Sequence, residues 1–147
     1  MTAAPLHDLF LRLGVAALLG GVIGLEREYR RKPAGLRTNM LIALGSALFS
    51  MMSLEMGAPG GSPDRIAAQI VTGIGFLGAG AILRTGENVH GLTTAATIWV
   101  NAAIGMAAGI GAYSVALASA AITLAVLALL GVMEGFFERR NKNRSQR

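Results

Sequence analysis

A few amides and hydroxyls lie inside otherwise apolar stretches of this sequence, and they set its chemical possibilities. Asn39, Ser46, Ser50, Ser53 and Gly57 fall on one face at helical spacing. Thr94, Thr97, Asn101 and Gly105 share a second face, and Gln69, Gly73, Phe76 and Gly80 a third. Serine and threonine hydroxyls can bond back to carbonyls of their own helix, so those stripes read first as helix packing. The amides of Gln69 and Asn101 need partners at membrane depth, so both are expected to face a bundle interior or a wet cavity. Asn39, Ser46, Ser50, Gln69, Thr97 and Asn101 therefore form a candidate intramembrane polar stripe.

A second candidate group is Glu26, Arg37, Thr38, Arg84, Thr93 and Thr94. The segments Gly35-Leu36-Arg37-Thr38 and Gly91-Leu92-Thr93-Thr94 each open an apolar run. Free N–H groups and the helix dipole favour an anion at such openings. Arg37 and Arg84 stand near them in sequence, and Glu26 could pair with either. The group fits a site for an anionic group, a gate held by ion pairs, or a salt-bridge network that only locks the loops.

Other chemistries have less footing. A magnesium site wants carboxylates and waters in octahedral geometry. Glu55 with Asp64, and Glu26 with Glu28, form no such signature and have basic neighbours. His7 and His90 are isolated, and the absence of cysteine excludes disulfides and thiolate metal sites. No serine or threonine comes with a base and an orienting partner, so no enzyme is expected. Neither a metal nor a cofactor is assigned. The segment Gly73-Ile74-Gly75-Phe76-Leu77-Gly78 matches G-x-G-x-x-G, but it lies inside an apolar run rather than between a strand and a helix. It reads as a packing or bending segment.

These residues must be held by helices that cross a bilayer. The chain has 147 residues, 53% of them apolar, with a mean hydropathy of +0.56. Apolar runs cover about residues 6–25, 36–56, 65–83, 91–110 and 115–133, each close to the length that spans hydrocarbon at about 1.5 Å per residue. The expected fold is an all-α polytopic membrane protein with five transmembrane helices, in one domain over residues 1–135, followed by a basic tail over 136–147. The loop after the second run, Gly57 to Asp64, is rich in turn residues.

The net charge of +5 is carried at helix ends. One group of clusters holds Arg27, Arg30, Arg31, Lys32, Arg37, Arg84, Arg139, Arg140, Lys142, Arg144 and Arg147; only Arg12 and Arg65 fall elsewhere. Five crossings put the first group on one side, which is then cytoplasmic, with the N-terminus outside. That placement indicates lipid headgroups rather than nucleic acid as the partner. No basic segment precedes the first run, so no cleavable signal peptide is expected. Gly14, Ala17, Gly21 and Gly24 line up on the first run, and Gly20-x-x-x-Gly24 is a close-packing motif. Small-residue faces leave packing surface unused, so a homo-oligomer, a dimer first, or contacts with other membrane proteins are expected.

Taken in order, four blocks carry a resemblance. They are Gly24-Leu25-Glu26-Arg27-Glu28, Ala34-Gly35-Leu36-Arg37-Thr38-Asn39, residues 64–80, and Gly91-Leu92-Thr93-Thr94-Ala95-Ala96-Thr97 with Trp99. Together they resemble the MgtC/SapB family of bacterial inner-membrane proteins, over about Leu13 to Gly111. The resemblance implies a five-helix domain in the inner membrane and a role linked to magnesium limitation. It also implies virulence in pathogens, and restraint of the F-type ATP synthase as one family activity. Longer members carry a C-terminal soluble domain, and this chain is expected to be a short form without it. Two function classes follow: a non-enzymatic membrane regulator tied to magnesium homeostasis, or a Mg²⁺ transporter or channel.

Overall fold

The computed structural model describes residues 5–56 and 64–145; residues 1–4, 57–63 and 146–147, with the turn-rich segment read from the sequence, lie outside the described residues. Five helices follow in order: α1 (Leu6–Tyr29), α2 (Leu36–Met56), α3 (Asp64–Gly80), α4 (Leu92–Gly109) and α5 (Tyr113–Ser145). By length and composition, α1, α2 and α4 could each cross a membrane, and α3 and α5 carry shorter apolar segments, Ala67–Gly80 and Tyr113–Leu129. Large apolar side chains face outward around the bundle, among them Leu18 at 66% exposure, Phe76 at 81% and Leu129 at 67%. So much apolar surface is unfavourable in water and ordinary in hydrocarbon. The chain is a multi-pass membrane protein.

The connection from α3 to α4 departs from the expected all-α fold. Residues read as a polar link form two strands, β1 (Leu83–Thr85) and β2 (Asn88–His90), paired antiparallel with Leu83 opposite His90. Gly86 turns the hairpin at φ 63°, and Gly91 closes it at φ 88°. A Cβ on Gly91 would strike the Ala81 carbonyl, so glycine is required there for space as well as for backbone angle. The pairing ends α3 at Gly80, ahead of the expected Leu83. At the other end of the chain, α5 continues helical to Ser145, through most of the stretch read as a tail.

The tight core is α1, α2 and α4, packed nearly backbone to backbone. A Cβ on Gly20 would lie 2.6 Å from the Asn39 carbonyl oxygen, and one on Gly24 would lie 2.7 Å from the Leu36 Cα. Gly105 and Gly109 press in the same way on the backbones of Ala43 and Ala47. Small residues permit this approach, and dispersion contacts replace the hydrophobic drive that lipid cannot supply. Ala16, Leu19, Ile23, Ile104 and Ala108 fill the remaining space. α3 attaches through Ile74 against Ile42, Ile98 and Ala102, and α5 attaches through Ala116 and Ala120. Of the expected α1 face, Gly21 and Gly24 are buried and Gly14 is exposed with nothing near it; Ala16, Leu19, Gly20, Ile23 and Arg27 are buried beside them.

At the end away from the hairpin, Arg12 donates from Nε to Asp8 Oδ2 at 2.8 Å and from Nη1 to the Gly109 carbonyl at 2.9 Å. A cation there meets the negative end of the α4 dipole. Arg12→Leu should lower stability by about 1.5–3 kcal/mol, the range for a hydrogen bond made by a charged group. The check is the melting temperature in detergent, and an unchanged value would remove this contact from the stabilising set.

Candidate functional site

Two polar clusters are assembled by this packing. The first lies inside the core. Asn39 and Asn101 are both 0% exposed. Asn101 donates from Nδ2 to the Asn39 backbone carbonyl at 2.8 Å and to Asn39 Oδ1 at 3.0 Å. Asn39 donates from its own Nδ2 to the Gly35 carbonyl at 3.1 Å and to the Ala34 carbonyl. One amide pair thus ties the α1–α2 loop to α2 and α4. It also steadies Ala34, a non-glycine residue in the left-handed region at φ 57°. Ser50 donates to the Ser46 carbonyl at 2.8 Å and Thr97 to the Thr93 carbonyl at 2.7 Å, so these hydroxyls are satisfied within their own helices.

Gln69 is not part of this cluster. It is exposed and lines a groove of about 720 Å³ between α2 and α3, together with Arg37, Thr38 and Ser46. Of the two surroundings expected for Gln69, a bundle interior or a wet cavity, the bundle interior is not the one it has; it lies on this groove. α3 packs through the buried Ile70 and Ile74, which leaves Gln69 at the rim.

The second cluster sits at the basic end, where α1 finishes and α2 and α4 begin. The two helix openings differ. Glu28 Oε2 accepts from the Leu36 N–H at 3.0 Å, so the chain's own carboxylate occupies the α2 opening. The α4 opening has Gly91 as its left-handed cap, no side-chain cap and no acid in its first turn. It faces a cavity of about 560 Å³ lined by Arg27, Lys32, His90, Thr93 and Thr94, with Leu127 from α5.

Arg27 is only 4% exposed. Its Nη2 donates to Thr94 Oγ1 at 3.4 Å, and its Nη1 stands 4.0 Å from Glu26 Oε2. Glu26 is held more closely by Arg30, whose Nε lies 2.5 Å from Oε1. Arg30 also donates to the Ala128 carbonyl at 3.1 Å, which ties α1 to α5.

Of the residues singled out at this end, Thr93 and Thr94 line the cavity and Glu26 stands beside it. Arg37 and Thr38 are exposed on the other groove, and Arg84 is exposed on the hairpin, donating to the Gly86 carbonyl at 3.0 Å. The cations that meet the α4 opening are Arg27 and Lys32, which sequence reasoning had counted only as topology charges. A signal for Arg27 was present: it follows Gly20 and Gly24 at helical spacing on one face. Nothing local marks Glu28 as the α2 cap, since it acts across the loop. Convergent cations, hydroxyls and free N–H groups suit an anionic ligand. Among the described residues, no three histidine or carboxylate side chains gather as a metal site would need.

A model of the MgtC family matches residues 13–136. The chain is 48% identical over 143 residues to a protein of Escherichia coli K12 named putative magnesium transporter YhiD, covering 92% of this chain and 66% of that one. It is 54% identical over 120 residues to protein MgtC of Salmonella typhimurium, covering 82% and 51%. It is 50% identical over 130 residues to protein MgtC of Brucella abortus, covering 88% and 54%. The chain thus spans between half and two thirds of the length of these relatives. No solved structure gives a significant match.

Proposed function

This chain belongs to the MgtC family, and on that premise we propose that it is a non-enzymatic inner-membrane regulator linked to magnesium homeostasis. It acts by binding other membrane proteins, with the F-type ATP synthase as the candidate partner. The basic end faces the cytoplasm, all five helices cross the membrane, and the cavity at Arg27 receives an anionic group as a regulatory input. A second copy packs on α3, where Gly73, Gly75 and Gly80 have open space around them.

One observation carries the choice of regulator over transporter. The middle of the polar stripe that could line an ion path is closed: Asn39 and Asn101 are fully buried and bond each other, and Ser50 and Thr97 bond back to their helices, while Ser46 and Gln69 lie on the separate groove between α2 and α3. The name of the Escherichia coli relative favours transport of magnesium as the alternative.

The test is the full chain in liposomes, assayed for Mg²⁺ flux, alongside co-purification of partners from membranes. The expected result is flux no higher than in empty liposomes, with a membrane partner retained. Flux that Asn101→Leu abolishes would establish transport instead. Interhelical hydrogen bonds in membranes contribute only about 0.6 kcal/mol on average. Asn101→Leu should therefore accumulate near the normal amount while low-magnesium growth support falls. Normal growth at a normal protein level would return the amide pair to plain packing.

A further inference from the structure

We infer that the cavity at the basic end and the groove between α4 and α5 together hold one anionic phospholipid. Its phosphate sits in the cavity and an acyl chain runs along the groove. The inference rests on reading the cavity as an anion site and names the class of anion.

The two spaces adjoin. Thr93, Val126 and Leu127 line both the cavity, of about 560 Å³, and the groove, of about 420 Å³. Their chemistry differs sharply. The cavity is lined by Arg27, Lys32 and His90, and none of its described lining residues is acidic. The groove is mostly apolar, lined by Ala96, Val100, Ile122 and Val126, with hydroxyls from Thr93, Thr97, Ser119 and Thr123. The hydroxyls of Thr97 and Thr123 are turned to carbonyls of their own helices, at 2.7 Å each, so these two are already satisfied and ask for no polar ligand. From Thr93 to Val100 the groove climbs about 10 Å away from the basic end.

A small soluble anion would account for the cavity and leave the groove unexplained. An apolar helix from another protein would account for the groove and leave three basic side chains facing it. A phosphodiester joined to an acyl chain fits both along one axis. Arg27 lines the cavity at 4% exposure while holding Thr94 and standing near Glu26, so it adds fixed positive charge to the cavity wall. The wider groove between α2 and α3 lacks this arrangement, because its cation, Arg37, is exposed.

The test uses the full chain in detergent and native mass spectrometry, with phosphatidylglycerol and phosphatidylcholine of identical chains. Melting temperature with inorganic phosphate forms a separate arm. Phosphatidylglycerol should be retained preferentially, one per chain. Lys32→Gln, an exposed position that leaves the core intact, should reduce retention about fivefold. Ala96→Trp, which fills the groove from its lipid-facing side, should reduce it without changing the melting temperature. Arg84→Gln, outside both spaces, should retain lipid like the parent. Equal retention of both lipids, or full retention by Lys32→Gln and Ala96→Trp, would overturn the inference. Stabilisation by inorganic phosphate without lipid retention would overturn it and leave the anion site standing; response to neither would remove both. If Ala96→Trp instead separates a dimer and lipid stays bound, the groove belongs to a second copy and the inference fails.

Discussion

Gly105→Leu is expected to leave no folded protein. A Cβ at Gly105 would fall on the carbonyl oxygen, carbonyl carbon and Cα of Ala43, all of them backbone atoms. Ala43 cannot retreat. It is 0% exposed, and its Cβ would lie 2.7 Å from a Cβ placed on Gly20 of α1. The α2 backbone is therefore gripped between α1 and α4, and any side chain at Gly105 must push the helices apart. Overpacking by a few methylenes typically costs about 1–3 kcal/mol. A whole isobutyl group against backbone should exceed that, and total stability is only about 5–15 kcal/mol. Separating α2 from α4 would also break the Asn39–Asn101 pair and strand amides in a dry interior. Gly45→Leu is the matched control, since a side chain there meets nothing within contact distance. The measurement is the yield of monodisperse protein after detergent extraction. A Gly105→Leu protein recovered as well as Gly45→Leu would show that the helices do not approach this closely.

Arg27→Gln is expected to abolish support of growth at low magnesium while most of the protein remains. Glutamine keeps the polar stem but is two bonds too short to hold Thr94, and it removes the charge that faces the cavity. Charged hydrogen bonds contribute about 1.5–3 kcal/mol, so anion binding should weaken roughly 10- to 100-fold. Glu26 keeps its closer partner in Arg30, so the charge balance of the α1 end is only partly disturbed. Arg84→Gln provides the comparison, because that side chain is exposed on the hairpin and bonds only locally. The two variants should be compared for growth support, protein level and melting temperature. If Arg27→Gln and Arg84→Gln behave alike in all three, Arg27 is a structural cation and the cavity is not a binding site.

The sequence by itself determined the helices, their faces and the charge at their ends. Helical periodicity is local, so Asn39, Ser46 and Ser50 must share one side of α2, and Thr94, Thr97 and Asn101 one side of α4, whatever surrounds them. Chain length per turn and apolar content likewise mark which segments can cross hydrocarbon. The four family blocks were also legible, because they are strings of residues and need no fold to be read.

What each face meets was decided only by tertiary structure. Gly20 and Gly24 signalled close packing, but that they admit the α2 backbone depends on α2 lying across them. Gln69 has the same chemistry as Asn101 and ended at a rim, because the neighbours of α3 engage Ile70 and Ile74 instead. Two helix openings that looked alike in sequence became unlike when Glu28 folded back onto one and a cavity formed at the other. Arg27 became buried because α4, the hairpin and α5 close around the end of α1. The physical reason is common to all of these. A face is set by dihedral angles within one helix, whereas burial, capping and charge pairing depend on which distant segments are brought against it.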